Sequence, residues 1–149
     1  MNKPFDTALY EENDSAKLIV RDFFNYLGFN CEVNEDKYGV DLILTDQDKL
    51  MKKLFLGVEV EVKKSWRGTQ FPYKTLHISM RKHKIVQKKT LFAMVNVDRT
   101  HMMLISLKEL MKAKSVMKPN KYMQQEWFYE IDTKKCQLVS LEHYFAGAN

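Results

Sequence analysis

The stretch GVEVEVKKSW, residues 57–66, alternates valine with charge. Successive side chains of an extended chain point to opposite faces. Val58, Val60 and Val62 therefore line one face, and Glu59, Glu61 and Lys63 the other. One face is built for burial; the other gathers two carboxylates and an amine. A strand of this kind belongs to a sheet with at least one covered face, and its neighbours decide which sheet.

Upstream, the apolar positions Ala16, Ile19, Val20, Phe23, Phe24 and Leu27 recur at helical spacing across residues 12–27, and Gly28 ends the helix. A short strand follows over 30–33, and the polar turn NEDKYG leads to a second strand over 40–45. DQDKLMKK is a turn, and residues 54–63 form the third strand. So short a connection predicts an antiparallel hairpin.

Beyond Trp66, RGTQFPYK is a loop, then a brief strand over 76–78 and a basic helix over 79–89 with Ser79 as N-cap. LFAMVNV and HMMLISL are strands joined by the turn DRT. Residues 107–113 read as helix, KSVMKPNKYMQQ as loop, and EWFYEI with CQLVSL as a terminal hairpin. No repeat or linker interrupts the order, so residues 1–149 read as a single α/β domain.

No run of about 18 apolar residues is present, so no membrane span is expected. The N-terminus lacks the apolar core of a signal peptide. Cys31 and Cys136 are too few for a disulfide framework, and a reducing, cytoplasmic setting is expected. The net charge of +5 is unevenly spread. Residues 1–61 hold 7 Lys/Arg against 13 Asp/Glu, whereas residues 63–89 hold 9 Lys/Arg and no acid. A basic block directly after clustered carboxylates fits a polyanion brought to an acidic site. A solvated lysine-rich surface is the plainer reading.

The chemistry centres on Asp41, at the start of the second strand, and on Glu61 and Lys63 of the third. A hairpin can set them side by side, with Glu61 the glutamate expected nearest Asp41. Two carboxylates on neighbouring strands make a hard oxygen site suited to Mg²⁺ or Mn²⁺. An ammonium beside them can hold a water or neutralise a phosphate. A half-exposed strand with solvated Glu61 and Lys63 would carry the same pattern. Asp41, at the end of an apolar strand, needs a partner either way.

YGVDLIL followed by VEVKKS resembles the PD-(D/E)XK nuclease superfamily, which includes restriction endonucleases and archaeal-type Holliday junction resolvases. The match is in the order of parts over roughly residues 10–97: a helix with a Glu, a Gly-x-Asp strand, a Glu-x-Lys strand, then a helix. The last third is unassigned. The resemblance implies a restriction-endonuclease-like fold, a central mixed β-sheet flanked by helices, and Mg²⁺- or Mn²⁺-dependent cleavage of DNA. It implies Asp41, Glu61 and the carbonyl of Val62 as metal ligands and Lys63 as the catalytic amine. Glu12 on the first helix would reach the metal, with Glu11 its near rival; both equally suit an acid-rich helix N-terminus. Resolvase-like members act as dimers, so a homodimer follows by analogy.

Two positions depart from the pattern. Val40 stands where the proline that names the family would be, and Glu59 adds a carboxylate that is either a further ligand or an exposed edge residue. Lys64, Arg67, Arg81, Lys82, Lys84 and Lys88 are the candidates for phosphate contacts. Trp66, Phe71 and Tyr73 either touch bases or cap the core. The histidines show no ligand spacing. The reading is a metal-dependent deoxyribonuclease. The alternatives are a non-catalytic nucleic-acid-binding module or a protein-interaction domain on the same fold. The intact Asp, Glu-x-Lys set favours the nuclease, because a binding module gains nothing from carboxylates that repel phosphate.

Overall fold

The computed structural model describes residues 7–36, 39–46, 57–81, 90–119, 122 and 124–142, with backbone only for 7–13 and 46. Helix α1 spans Thr7–Tyr26, and β1, β2 and β3 span Phe29–Val33, Leu42–Asp46 and Gly57–Lys63. Strands β4 (Thr75–Ser79), β5 (Thr90–Asn96) and β6 (His101–Ser106) follow, then the single-turn α2 (Leu107–Leu110). Strands β7 (Lys114–Pro119), β8 (Gln125–Asp132) and β9 (Gln137–Ser140) come next, with a 3-10 turn at Thr133–Lys135 before β9.

The main sheet has the order β1-β2-β3-β5-β6-β9, and a second, three-stranded sheet the order β4-β8-β7. Among the described residues only β3 and β5 run parallel, paired from Gly57–Thr90 to Lys63–Asn96. A parallel pair needs a crossover, and β4 lies within it. The molecule is mixed α/β, with the six-stranded sheet as its middle layer.

The valine face of β3 packs under α1. Val58, Val60 and Val62 join Leu42 and Leu44 against Ala16, Val20, Phe23 and Phe24 of the helix. At the end of α1, Gly28 takes φ +100, the left-handed conformation that closes helices. The Asn25 side chain ties the helix to β1, donating to the Cys31 carbonyl at 3.1 Å and accepting from its N–H at 2.7 Å. The other face of the main sheet presents Phe92, Met94, Met103 and Ile105 to Leu76, Ile78, Tyr129 and Ile131 of the second sheet. Trp66 sits in this second core, fully buried.

Three expectations are corrected. Residues 114–119 form β7 rather than a loop; its exposed, lysine-bearing residues and terminal proline mark an edge strand, which has no buried face to imprint on the sequence. Strands β8 and β9 are not a hairpin, since β8 pairs with β4 and β7 while β9 pairs with β6. Among the described residues, α1 covers one face of the main sheet, whereas the other carries the second sheet with only the single turn of α2, through Leu107 and Leu110, so the expected helical flanks are slight. The expected basic helix lies mainly outside the described residues; at its start, Ser79 Oγ accepts from Arg81 N–H at 3.2 Å. No helix among the described residues is long and apolar enough to cross a membrane.

Gly57 opens β3 where the β2 side comes closest. A Cβ there would lie 2.7 Å from one Val40 methyl and 2.9 Å from the other. Valine is stiff at χ1 and cannot swing clear. Gly57→Ala is expected to cost about 1–3 kcal/mol in urea unfolding, and Val40→Ala in the same chain should restore part of it. An unchanged midpoint for Gly57→Ala would show that the two strands are not in this contact.

Candidate active site at the fork of β2 and β3

Strands β2 and β3 are antiparallel, as expected, and their ladder pair is Leu42–Val58. Asp41 lies just before that pair, outside the ladder, and meets β3 through its side chain and its N–H. Past the ladder pair, Val60 N–H donates to Asp41 Oδ2 at 2.7 Å, so the carboxylate serves as acceptor for a strand amide. Asp41 N–H in turn donates to Glu59 Oε1 at 3.2 Å. Glu59 is 2% exposed, which excludes the exposed-edge reading. The glutamate brought to Asp41 is Glu59 and not Glu61. A shift of two residues keeps the same face, so alternation in the sequence could not distinguish the two.

Helix α1 supplies a cation. Lys17 Nζ lies 3.2 Å from Asp41 Oδ1 and 3.4 Å from Asp14 Oδ1. Burial pulls the Lys17 ammonium pKa down, but the Asp41 charge and hydrogen bonds to both aspartates outweigh it, so the value is held above the ordinary 10.5. A cavity of about 290 Å³ opens onto this group, lined by Asp14, Lys17, Asn34, Asp36 and Asp41 among others. Asn34 shapes its wall: its side chain donates to the Val40 carbonyl at 2.9 Å and accepts from Asp36 N–H at 3.1 Å.

Glu61 and Lys63 form a second group. Lys63 Nζ is 2.7 Å from Glu61 Oε2 and donates to the His77 carbonyl of β4 at 2.6 Å. Of the three donors of that ammonium, one goes to the His77 carbonyl, with Glu61 beside it as an ion pair. The His77 ring meets Glu130 at 3.0 Å, and this hydrogen bond holds the Glu130 carboxyl below its ordinary range.

The remaining candidates are placed as follows. Val62 has its side chain in the helix-side core and pairs with Val95 in the β3–β5 ladder. Glu11 and Glu12 are on α1, with side chains outside the described residues; Asp14 is the α1 carboxylate seen at the site. Lys64 and Arg67 are exposed just after β3. Arg81 is engaged structurally, its Nε paired with Glu126 of β8 and bonded to Ser79 Oγ at 3.1 Å. Lys82, Lys84 and Lys88 lie outside the described residues. Trp66 is core, its indole N–H donating to the Thr69 carbonyl at 3.3 Å. Lys17 was missed in the sequence, although Asp14-x-x-Lys17 is an i,i+3 pair on the helix that precedes the hairpin.

Among the described residues no three or more His, Cys, Asp or Glu side chains are grouped to hold a metal ion. The donor chemistry at the fork still suits Mg²⁺, which is commonly held by one or two carboxylates and retains waters. Asp41 and Glu59 are such a pair, and the Lys17 ammonium already serves as a cation against Asp41. Compared with protein-family models, curated proteins and solved structures, the chain has no significant match.

The Lys17 pair carries a pH signature. A group whose pKa is raised on folding stabilises the fold below its unfolded value and loses that contribution as pH climbs through the folded one. Lys17→Met should therefore lower the urea midpoint at neutral pH, and the gap from the parent should narrow above pH 10.5. A gap constant from pH 7 to 12 would show that the ion pair contributes nothing.

Proposed function

We propose that the chain is a metal-dependent nuclease of restriction-endonuclease-like fold that hydrolyses DNA phosphodiester bonds. The observation that carries this reading is the meeting of Asp41 and Glu59 at the β2–β3 fork, with Glu61 and Lys63 on the same strand beyond it. The order α1, β1, β2, β3, then a crossover to a parallel β5, supports it. So does the acid-free, basic run that starts at Lys63.

Asp41 and Glu59 would hold the ion. A bound Mg²⁺ or Mn²⁺ supplies Lewis acidity toward a phosphoryl oxygen. Glu61 and the His77 carbonyl fix Lys63, so its ammonium would meet the substrate already oriented and give an N–H to a phosphoryl oxygen or the attacking water. Asp41 keeps its orientation through the Val60 amide. Lys17 is shared between Asp41 and Asp14, so Lys17 keeps a carboxylate partner in Asp14 where Asp41 would hold the ion. Lys64 and Arg67 meet the backbone of the DNA.

The test is cleavage of a panel of labelled duplex, branched and single-stranded DNAs with Mg²⁺, Mn²⁺ or EDTA. Asp41→Asn and Glu59→Gln should abolish cleavage, and Lys63→Met should lower kcat by roughly 10²–10³-fold. Glu61→Gln separates two roles: partial loss if it only orients Lys63, complete loss if it is itself a ligand. Full activity in Glu59→Gln would return the ligand role to Glu61.

A second reading, a non-catalytic nucleic-acid-binding module, is favoured by one observation: Lys17 and Lys63 already neutralise Asp41 and Glu61. It requires binding without cleavage under every metal condition. Binding to duplex DNA should weaken with salt, by about 0.9 in log slope per phosphate contact. Lys64→Ala with Arg67→Ala should flatten that slope, whereas Arg81→Ala, already paired with Glu126, should change it little. An equal loss from both substitutions would show that Arg81 leaves Glu126 to bind phosphate.

A further inference from the structure

The loop after β3 leaves from Lys63 and returns in β4, whose His77 carbonyl holds the same ammonium. It is fixed to the body of the protein at Gly68, whose N–H donates to Asp98 Oδ2 at 2.9 Å and whose carbonyl accepts from Asn96 Nδ2 at 2.8 Å. A chain of edge-to-face rings then runs outward. Trp66 meets Phe71 at 5.7 Å between centroids, and Phe71 meets Tyr73 at 5.8 Å. The first ring is fully buried and the last is 59% exposed. Tyr73 is thus a solvent-facing ring braced from the core.

Beside it lies a groove of about 410 Å³, with Phe71, Pro72 and Tyr73 on one side and Met103, Cys136 and Leu138 on the other. Exposed Arg67, Lys74, Lys134 and Lys135 lie on the segments that border it. The acid on those segments, Asp132, accepts from Lys134 N–H at 2.9 Å, and Asp98 of the β5–β6 turn accepts from Gly68 N–H. Thr133 joins the two sides, its N–H and its hydroxyl each donating to the Lys74 carbonyl at 3.0 Å. An apolar slot with an exposed aromatic ring and a cationic border matches a nucleobase with its phosphates.

We propose that this groove takes an unpaired base from a single-stranded flank of the nucleic acid, with Tyr73 as stacking platform and Lys74 at the adjacent phosphate. The proposal rests on the nucleic-acid reading above and adds a substrate feature to it. Tyr73 is four residues from His77, at most about 14 Å of extended chain. The flank would therefore lie within a few nucleotides of the phosphate at Lys63. Bases stacked inside a duplex present no free face to the ring, so the groove selects frayed, branched or single-stranded ends.

The experiment is fluorescence anisotropy in EDTA with a labelled single-stranded oligonucleotide and with a blunt duplex of the same sequence. Tyr73→Ala should weaken single-strand binding roughly tenfold and leave duplex binding unchanged, while Tyr73→Trp should retain the parent affinity. Equal single-strand affinity in parent and Tyr73→Ala overturns the proposal, as does a parent that binds neither strand. An equal loss for both strands also overturns it, since the site would not discriminate unpaired bases. Cleavage is scored separately with Mg²⁺ or Mn²⁺. Tyr73-dependent binding without any cleavage sinks the nuclease reading and keeps the groove; cleavage with Tyr73-independent binding does the reverse.

Discussion

The hydrogen bond from Val60 N–H to Asp41 Oδ2 fixes the geometry of the candidate site. Where β2 stops pairing, β3 still has an amide to satisfy at the edge of a buried region, and an unmet donor there would cost about 1–3 kcal/mol. The Asp41 carboxylate meets it. That choice turns Asp41 toward the fork, brings its own N–H to Glu59, and leaves its other oxygen to Lys17. A side chain doing backbone work at a strand end is held firmly, and a held carboxylate suits a ligand or a positioned base.

Much of the frame was legible in the sequence because it carries period. The helix stripe from Ala16 to Phe24, the valine face of β3 and the apolar β5 and β6 are repeated burial patterns, and the structure places each where the pattern put it. Strand β7 carries no such pattern, since only one of its six residues is even partly buried. Partner choice for β8 and β9 was also illegible: both are of mixed polarity, and nothing local says that β4 lies outside the main sheet and pairs with β8.

The site was legible as a set of residue types and not as a set of contacts. Alternation put Glu59, Glu61 and Lys63 on one face, but every same-face slip of the hairpin preserves alternation. The pair Leu42–Val58 selects among those slips, and it depends on the length of a connection that composition does not fix. Lys17 escaped notice for a related reason. On α1 it reads as one more solvated lysine, and only the fold shows the helix lying across the fork with that ammonium against Asp41.

The three charged residues of β3 are alike in the sequence and are made different by what faces them. Glu59 lies across from the end of β2, is 2% exposed, and receives a backbone amide. Lys63 reaches the second sheet at the His77 carbonyl, with Glu61 beside it in a partly exposed position. A buried carboxylate persists only with donors or cations around it, so Glu59 has a cost that a solvated edge glutamate would not. Phe92 is its partner on β5, and a neutral residue in its place could pack there without that cost. Under the proposed function, a metal ion at the fork would meet this enclosed carboxylate against the start of an apolar strand, and its charge would offset the cost of burying it.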